Sequence, residues 1–228
     1  MDLCLEGIGS FCEIASSSRY TTFPNPGLEI EGHPAFPLPL TSAHARLMKN
    51  ACRPASSDRE ANTPVDTPVQ NIWELNCRQF KLLNPGWVAF LKKMATEAAH
   101  SLGLTDVGLK LHKLLLNEKG FSSQNYEDIE ESPRKIGTLF ICLPSEHWGG
   151  DVHISFGPDK HRFITAPTSK YDLTASALYS DVSHKTKEIK LGYRLALTYS
   201  ILQHGSDEKS AALVGQQTHM IRKHLLIN

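Results

Sequence analysis

From Leu109 onward, short apolar segments follow one another at close intervals, each cut off by residues that cannot continue a strand. The segments begin at Leu109 and run through Leu114-Leu115-Leu116, then Thr138 to Leu143, Val152 to Phe156, Arg162 to Thr165, Ser176 to Tyr179 and Tyr193 to Leu202. Between them stand Pro144-Ser145, Gly149-Gly150, Gly157-Pro158-Asp159 and Pro167-Thr168. Such runs are too short for useful helices, and their punctuation predicts many strands closed into a barrel or sandwich.

Upstream the pattern is mixed. Ser10 to Ile14 and Leu28 to Glu31 read as strands, and Pro37 to Leu40 as an extended segment. Thr41 or Ser42 caps a predicted helix that runs to about Arg53, with Ala45, Leu47, Met48 and Ala51 on its apolar side. Pro54 to Pro68 is rich in Ser, Asp, Asn, Thr and Pro and reads as a loop, either a surface connection or a lid. Asn84 caps a second helix with Pro85 at its first position. Trp87, Phe90, Leu91, Met94, Ala98 and Leu102 follow at helical spacing, and Gly103 closes it. Asp207 to Leu226 predicts a C-terminal amphipathic helix.

The chain has 228 residues, 40% of them hydrophobic, enough for one domain (1–228) with a full core. The barrel core is expected over about 109–202, supported by strands and two helices within 10–103. Basic and acidic residues number 24 each, and no basic stripe favours nucleic acid. No apolar run approaches the roughly 20 residues that span a bilayer, so no membrane partner is expected. The N-terminus lacks the features of a secretory signal, and Cys4, Cys12, Cys52, Cys77 and Cys142 are scattered without a C-x-x-C pair. A reduced protein of the cytoplasm or nucleus is the expectation.

Four segments carry a resemblance. They are Leu114 to Gly120, Gly137 to His147, Tyr179-Ser180-Asp181-Val182-Ser183-His184, and Gly192-Tyr193-Arg194 continued to Tyr199. Pro24-Asn25-Pro26-Gly27-Leu28 and Ala166-Pro167-Thr168-Ser169 add to them. Together, over about Ser10 to Leu202, they resemble the fungal prolyl 4-hydroxylase-like iron(II)/2-oxoglutarate oxygenases. The resemblance implies a double-stranded β-helix, a jelly-roll of two packed sheets, mainly β with flanking helices. It implies iron(II) and 2-oxoglutarate as cofactors, with ascorbate as a possible reductant.

It also implies a site, residue by residue. The distal iron ligand of the family corresponds to His184, and the arginine that pairs with the far carboxylate of 2-oxoglutarate corresponds to Arg194. A guanidinium suits that role because its planar fork matches a carboxylate bidentately. The family's H-x-D pair falls between Gly120 and Gly137, where the aspartate corresponds to Asp128 and the histidine to Tyr126. A tyrosine that hydrogen-bonds the co-substrate in the family corresponds to Asn117. Tyr126 is a poor substitute for an imidazole, since a phenol must lose a proton of pKa near 10 before it binds metal well. His112, His147 and His153 are possible replacement ligands, and Asp181 is a rival carboxylate or a turn residue.

Two functions follow as expectations. One is a dioxygenase that oxidises a C–H bond of a small molecule or protein side chain, with Asp128, His184 and one further ligand on iron. The other is an inactive relative that keeps the barrel as a binding module, which the changes at Tyr126 and Asn117 favour. A truncated gene product, ending soon after the last site strand, is a third reading.

Overall fold

The computed structural model describes residues 13–55, 71–123, 134–204 and 210–214. The strands, in chain order, are β1 (Ala15–Tyr20), β2 (Leu28–Ile30), β3 (Arg53–Pro54), β4 (Ile72–Asn76), β5 (Phe80–Leu82), β6 (Val107–Glu118) and β7 (Lys135–Leu143). They continue as β8 (His147–Gly149), β9 (Val152–Phe156), β10 (Asp159–Phe163), β11 (Leu173–Tyr179), β12 (Ser183–Thr186) and β13 (Ile189–Gln203). Two helices intervene, α1 (Ser42–Ala51) and α2 (Pro85–Ser101).

The major sheet has the order β1-β11-β7-β13-β6-β4-β3, and β8 pairs with the start of β13. The minor sheet has the order β10-β9-β12. Along the chain, β6 and β7 lie in the major sheet, β9 and β10 in the minor, β11 in the major, β12 in the minor and β13 in the major. Residues 120–123 run beside the end of β12 and the start of β13, through Gly120 N–H to Ile189 O (2.8 Å) and Ser123 N–H to Thr186 O (3.1 Å). This traffic between two antiparallel sheets is that of a jelly-roll.

The two faces of the major sheet differ because successive side chains of a strand point opposite ways. Leu195, Leu197, Tyr199 and Ile201 of β13, with Leu114, Leu116, Leu139 and Ile141 of its neighbours, are all buried. This face meets the helices: Trp87 Nε1 of α2 approaches the Tyr199 hydroxyl at 3.4 Å, and the Tyr179 hydroxyl donates to Leu102 O at 2.5 Å. The other face carries Arg194, Ala196, Thr198 and Ser200 toward the minor sheet, all of them buried.

Both helices begin where the capping residues place them. Thr41 Oγ1 accepts from His44 N–H at 3.3 Å, and Asn84 Oδ1 accepts from Gly86 N–H at 2.9 Å with Pro85 in the first turn. Each side chain satisfies a backbone donor that has no partner inside the helix. Lys49 anchors α1 to the sheet edge, bonding Glu118 at 2.7 Å and lying 4.4 Å from the ring centre of Trp73.

Several sequence expectations shift. The first strand begins at Ala15, later than the expected Ser10 to Ile14, of which residues 10–12 lie outside the described residues. The strand expected over Arg162 to Thr165 is β10, at Asp159–Phe163, because the tight Gly157-Pro158 turn sets its start and pairs Asp159 with Phe156. β4, β5, β8 and β12 were not expected as strands. Of the C-terminal helix, only residues 211–214 are described. The loop expected over Pro54 to Pro68 lies mostly outside the described residues.

Candidate functional site

β13 makes a bend that the Gly192-Tyr193-Arg194 motif explains. Residues before Gly192 pair with β8, whereas Tyr193 onward pairs with β6 and Leu195 onward with β7. At the bend Gly192 has φ +81°, and a Cβ there would stand 2.1 Å from Glu146 O. Only glycine accommodates both the left-handed backbone and that approach. Two residues later the strand directs Arg194 into the space between the sheets.

Arg194 is 8% exposed. Its Nη1 donates to the Gly150 carbonyl at 2.9 Å, while its buried Nε has no hydrogen-bond partner. Among the described residues no carboxylate lies within salt-bridge distance of it. Burial pulls its pKa below the usual arginine range, an effect that the nearby Cys142 opposes. The same burial pushes the Cys142 thiol up, and Arg194 works against that shift. A guanidinium stays charged under these conditions, so this is a buried cation with one carbonyl and, among the described residues, no counter-ion, which is costly unless an anion joins it.

Asn117 of β6 is the direct cross-strand partner of Arg194. It is 3% exposed, and its buried Oδ1 also lacks a hydrogen bond. Directly opposed residues on one sheet face hold their Cβ atoms about 5 Å apart. Two adjacent buried polar groups with unused hydrogen-bonding capacity form a cradle for a polar ligand. Gly150 borders it: with φ +77°, a Cβ there would lie 2.8 Å from Ile189 Cδ1 and 3.4 Å from Arg194 Nη1.

His184 is the second residue of β12 and faces Ile154 of β9 across the minor sheet. The preceding strand, β11, ends at Tyr179, and the chain changes sheets before His184. The imidazole is buried and meets Phe140 of β7 edge-on, with ring centres 5.7 Å apart. His184 and Arg194 therefore belong to opposite sheets. Tyr126 and Asp128 lie outside the described residues.

The other candidates have different roles. His147 is buried, with Nδ1 bonded to Ser145 O at 2.9 Å and Nε2 to Thr165 Oγ1 at 3.0 Å, so both ring nitrogens are committed. Burial lowers its pKa to about 4, with Arg194 adding to the effect and the Ser145 carbonyl opposing it. It ties β8 to the segment before the short 3-10 turn at Ala166–Thr168 and is no replacement ligand. His153 is exposed on the outward face of the minor sheet, in register with Lys185 and Arg162. Asp181 accepts from Ala211 N–H (3.0 Å) and Ala212 N–H (3.1 Å), which makes it a cap for the helical turn at 211–214. Among the described residues no group of three His, Cys, Asp or Glu side chains is placed to hold a metal.

Sequence reasoning missed the Gly150 carbonyl, Cys142 and Phe140 as neighbours of the site. The adjacent glycines Gly149-Gly150 were the available signal, read only as a turn.

No family model and no curated protein matches this chain. Solved structures to which it is similar include members of the 2OG-Fe(II) oxygenase family, all at low identity. A prolyl hydroxylase from Trichoplax adhaerens, in complex with a hypoxia inducible factor oxygen degradation domain peptide, shares 12% identity over 78% of this chain and 84% of its own, with a TM-score of 0.48. A Pseudomonas putida prolyl-4-hydroxylase shares 15% over 72% and 84%, with a TM-score of 0.46. A 2OG-Fe(II) oxygenase family oxidoreductase from Burkholderia pseudomallei shares 15% over 63% and 75%, with a TM-score of 0.42. Among the described residues no helix is long and apolar enough to cross a membrane.

Proposed function

We propose that this chain is an iron(II)/2-oxoglutarate-dependent oxygenase-like protein that binds the dicarboxylate between its sheets through Arg194. The observation that carries this reading is the buried guanidinium of Arg194, held by one carbonyl and lacking an acid among the described residues. The far carboxylate of 2-oxoglutarate would supply the missing counter-ion. The unpartnered Asn117 Oδ1 is an acceptor and cannot bond a carboxylate, so at Asn117 the Nδ2 amide would be the group that donates to the ligand. A ligand seated there is shielded from water, which strengthens each of these contacts.

Iron(II) would draw its ligands from His184, Asp128 and one further group, with Tyr126 at the place of the family's histidine. When bound, the metal and 2-oxoglutarate supply the oxidising power, and the protein's part is to position the reactants. Of these ligands only His184 lies among the described residues, on the sheet opposite Arg194. The substrate is a small molecule or a protein side chain.

A second reading keeps the same cradle without catalysis. The phenol at Tyr126 and the amide at Asn117, where the family has histidine and tyrosine, favour a binding module that holds a dicarboxylate. Titration calorimetry with 2-oxoglutarate, followed by succinate release in the presence of iron(II), separates the two. The oxygenase reading expects binding and succinate from the natural protein, both lost in Arg194→Met. Binding without succinate, with turnover appearing in Tyr126→His, supports the module. Absence of 2-oxoglutarate binding overturns both.

A further inference from the structure

The interior cradle holds two unpaired polar atoms of opposite kinds. Arg194 Nε can only donate a hydrogen bond and Asn117 Oδ1 can only accept one, and neither finds a partner among the described residues. Both side chains are buried, and the pairing of β13 with β6 sets them directly opposite each other. The cross-strand neighbours are apolar. Ile72 of β4 opposes Asn117 on its other side, and Leu115 and Ala196 form the next rung on the same face. The Gly150 carbonyl is already bonded to Arg194 Nη1 at 2.9 Å.

A plain carboxylate answers the donor and not the acceptor. Its oxygens accept from Arg194 and from Asn117 Nδ2, but it carries no hydrogen to give to Oδ1. An acceptor left buried and unpaired in the complex counts against the ligand. Both ends of the amide sit on one carbon, so the donor that suits Oδ1 belongs beside the carboxylate that suits Nδ2. An ammonium there would set a like charge against the guanidinium, which is unfavourable at short range. A hydroxyl donates without charge.

We propose that the ligand of this cradle is a dicarboxylate with a hydroxyl on the carbon next to the carboxylate held by Arg194, and that Asn117 selects it through that hydroxyl. The proposal rests on the Arg194 reading given above and narrows its ligand. In 2-oxoglutarate the corresponding carbon is a methylene, which leaves Asn117 Oδ1 unanswered. In 4-hydroxy-2-oxoglutarate the same carbon carries the hydroxyl, which donates to Oδ1 while the carboxylate accepts from Arg194 and Nδ2. A site built to bond a ligand's hydroxyl discriminates strongly against the analogue that lacks it, because the protein's own polar group is then stranded.

The test is titration calorimetry of the full chain with 2-oxoglutarate and with each enantiomer of 4-hydroxy-2-oxoglutarate. One enantiomer is expected to bind about tenfold or more tightly than 2-oxoglutarate. Asn117→Leu keeps the bulk of the side chain and removes both of its polar atoms, so the advantage should vanish. Asn117→Ala is the second variant, and a circular dichroism melt like that of the natural protein confirms that each variant folds. Binding of neither ligand sinks the Arg194 reading, and this inference with it. Binding of 2-oxoglutarate with no advantage for either hydroxylated enantiomer overturns this inference alone, and is the result expected if Arg194 and Asn117 bond each other in solution. An advantage that persists when Asn117 is replaced overturns it as well.

Discussion

The two faces of β13 are equally hidden from water and chemically opposite. Leu195, Leu197, Tyr199 and Ile201 meet the helices, and the polar atom among them, the Tyr199 hydroxyl, has a partner in Trp87. Arg194, Ala196, Thr198 and Ser200 face the minor sheet, where Thr198 is satisfied by the Lys113 backbone and Arg194 is not. One face gains stability from burial. The other bears the cost of burying a charge and keeps a small side chain, Ala196, where space is needed. Burial alone does not distinguish a core from a site; the distinction lies in whether the buried polar atoms are paired.

The largest effect expected from this contrast is on the helix-facing side. Leu197→Ala should destabilise the protein by about 2–5 kcal/mol in urea unfolding, from lost transfer energy and the cavity left behind. The 2-oxoglutarate affinity of the molecules that remain folded should not change. If that affinity fell with stability, the two faces would not be independent.

Next in size is a pH effect at the joint beside the site. His147 titrates near 6.5 when unfolded and is lowered to about 4 when folded, so the unfolded chain binds more protons between those values. Stability should therefore fall as pH drops from about 6.5 to 4, by up to about 3 kcal/mol. Denaturant midpoints across that range should show the slope, and His147→Gln should flatten it. An unchanged slope in the variant would assign the effect to other groups.

Smaller, and opposite in sign, is the response of the site face. Arg194→Met removes a buried charge that has no acid partner among the described residues, and stability should stay level or rise by about 1 kcal/mol. A loss comparable with that of Leu197→Ala would mean that Arg194 is a structural ion and that the contrast between the faces fails. The smallest effect belongs to the exposed hydroxyl pair of Ser17 and Ser176, 2.9 Å apart near the sheet edge. Ser176→Ala should change stability by no more than about 0.5 kcal/mol.

The sequence made the helix-facing half of the molecule legible and the facing sheet much less so. Alternation in β13, the caps Thr41 and Asn84, and the Trp87–Met94–Ala98 stripe each pair a local pattern with one buried face. β12 reads Ser-His-Lys-Thr and has no apolar residue to mark it. It is a strand because β9 offers it a hydrogen-bonding edge, a tertiary cause that leaves no periodicity in the sequence. β4 fails for a related reason: Glu74 sits buried within it, paired with Arg53 at 2.8 Å and Lys113 at 3.1 Å, so a charge stands where a hydrophobic residue would signal a strand. At the candidate site, the sequence text singles out Arg194 and His184, and the fold buries both on facing sheets. The Gly150 carbonyl could not be singled out, because a backbone acceptor carries no residue signature.

The pairing of Arg194 with Asn117 has a kinetic consequence. The two residues are far apart in the chain, with β7 to β12 between them, and become neighbours only when β13 pairs with β6. Non-local closure of this kind makes folding slow, and no partly folded species that lacks this pairing has the cradle. A dicarboxylate would therefore recognise the finished barrel alone. It would leave the folding rate nearly unchanged and retard unfolding, so that its concentration sets how long each native molecule survives.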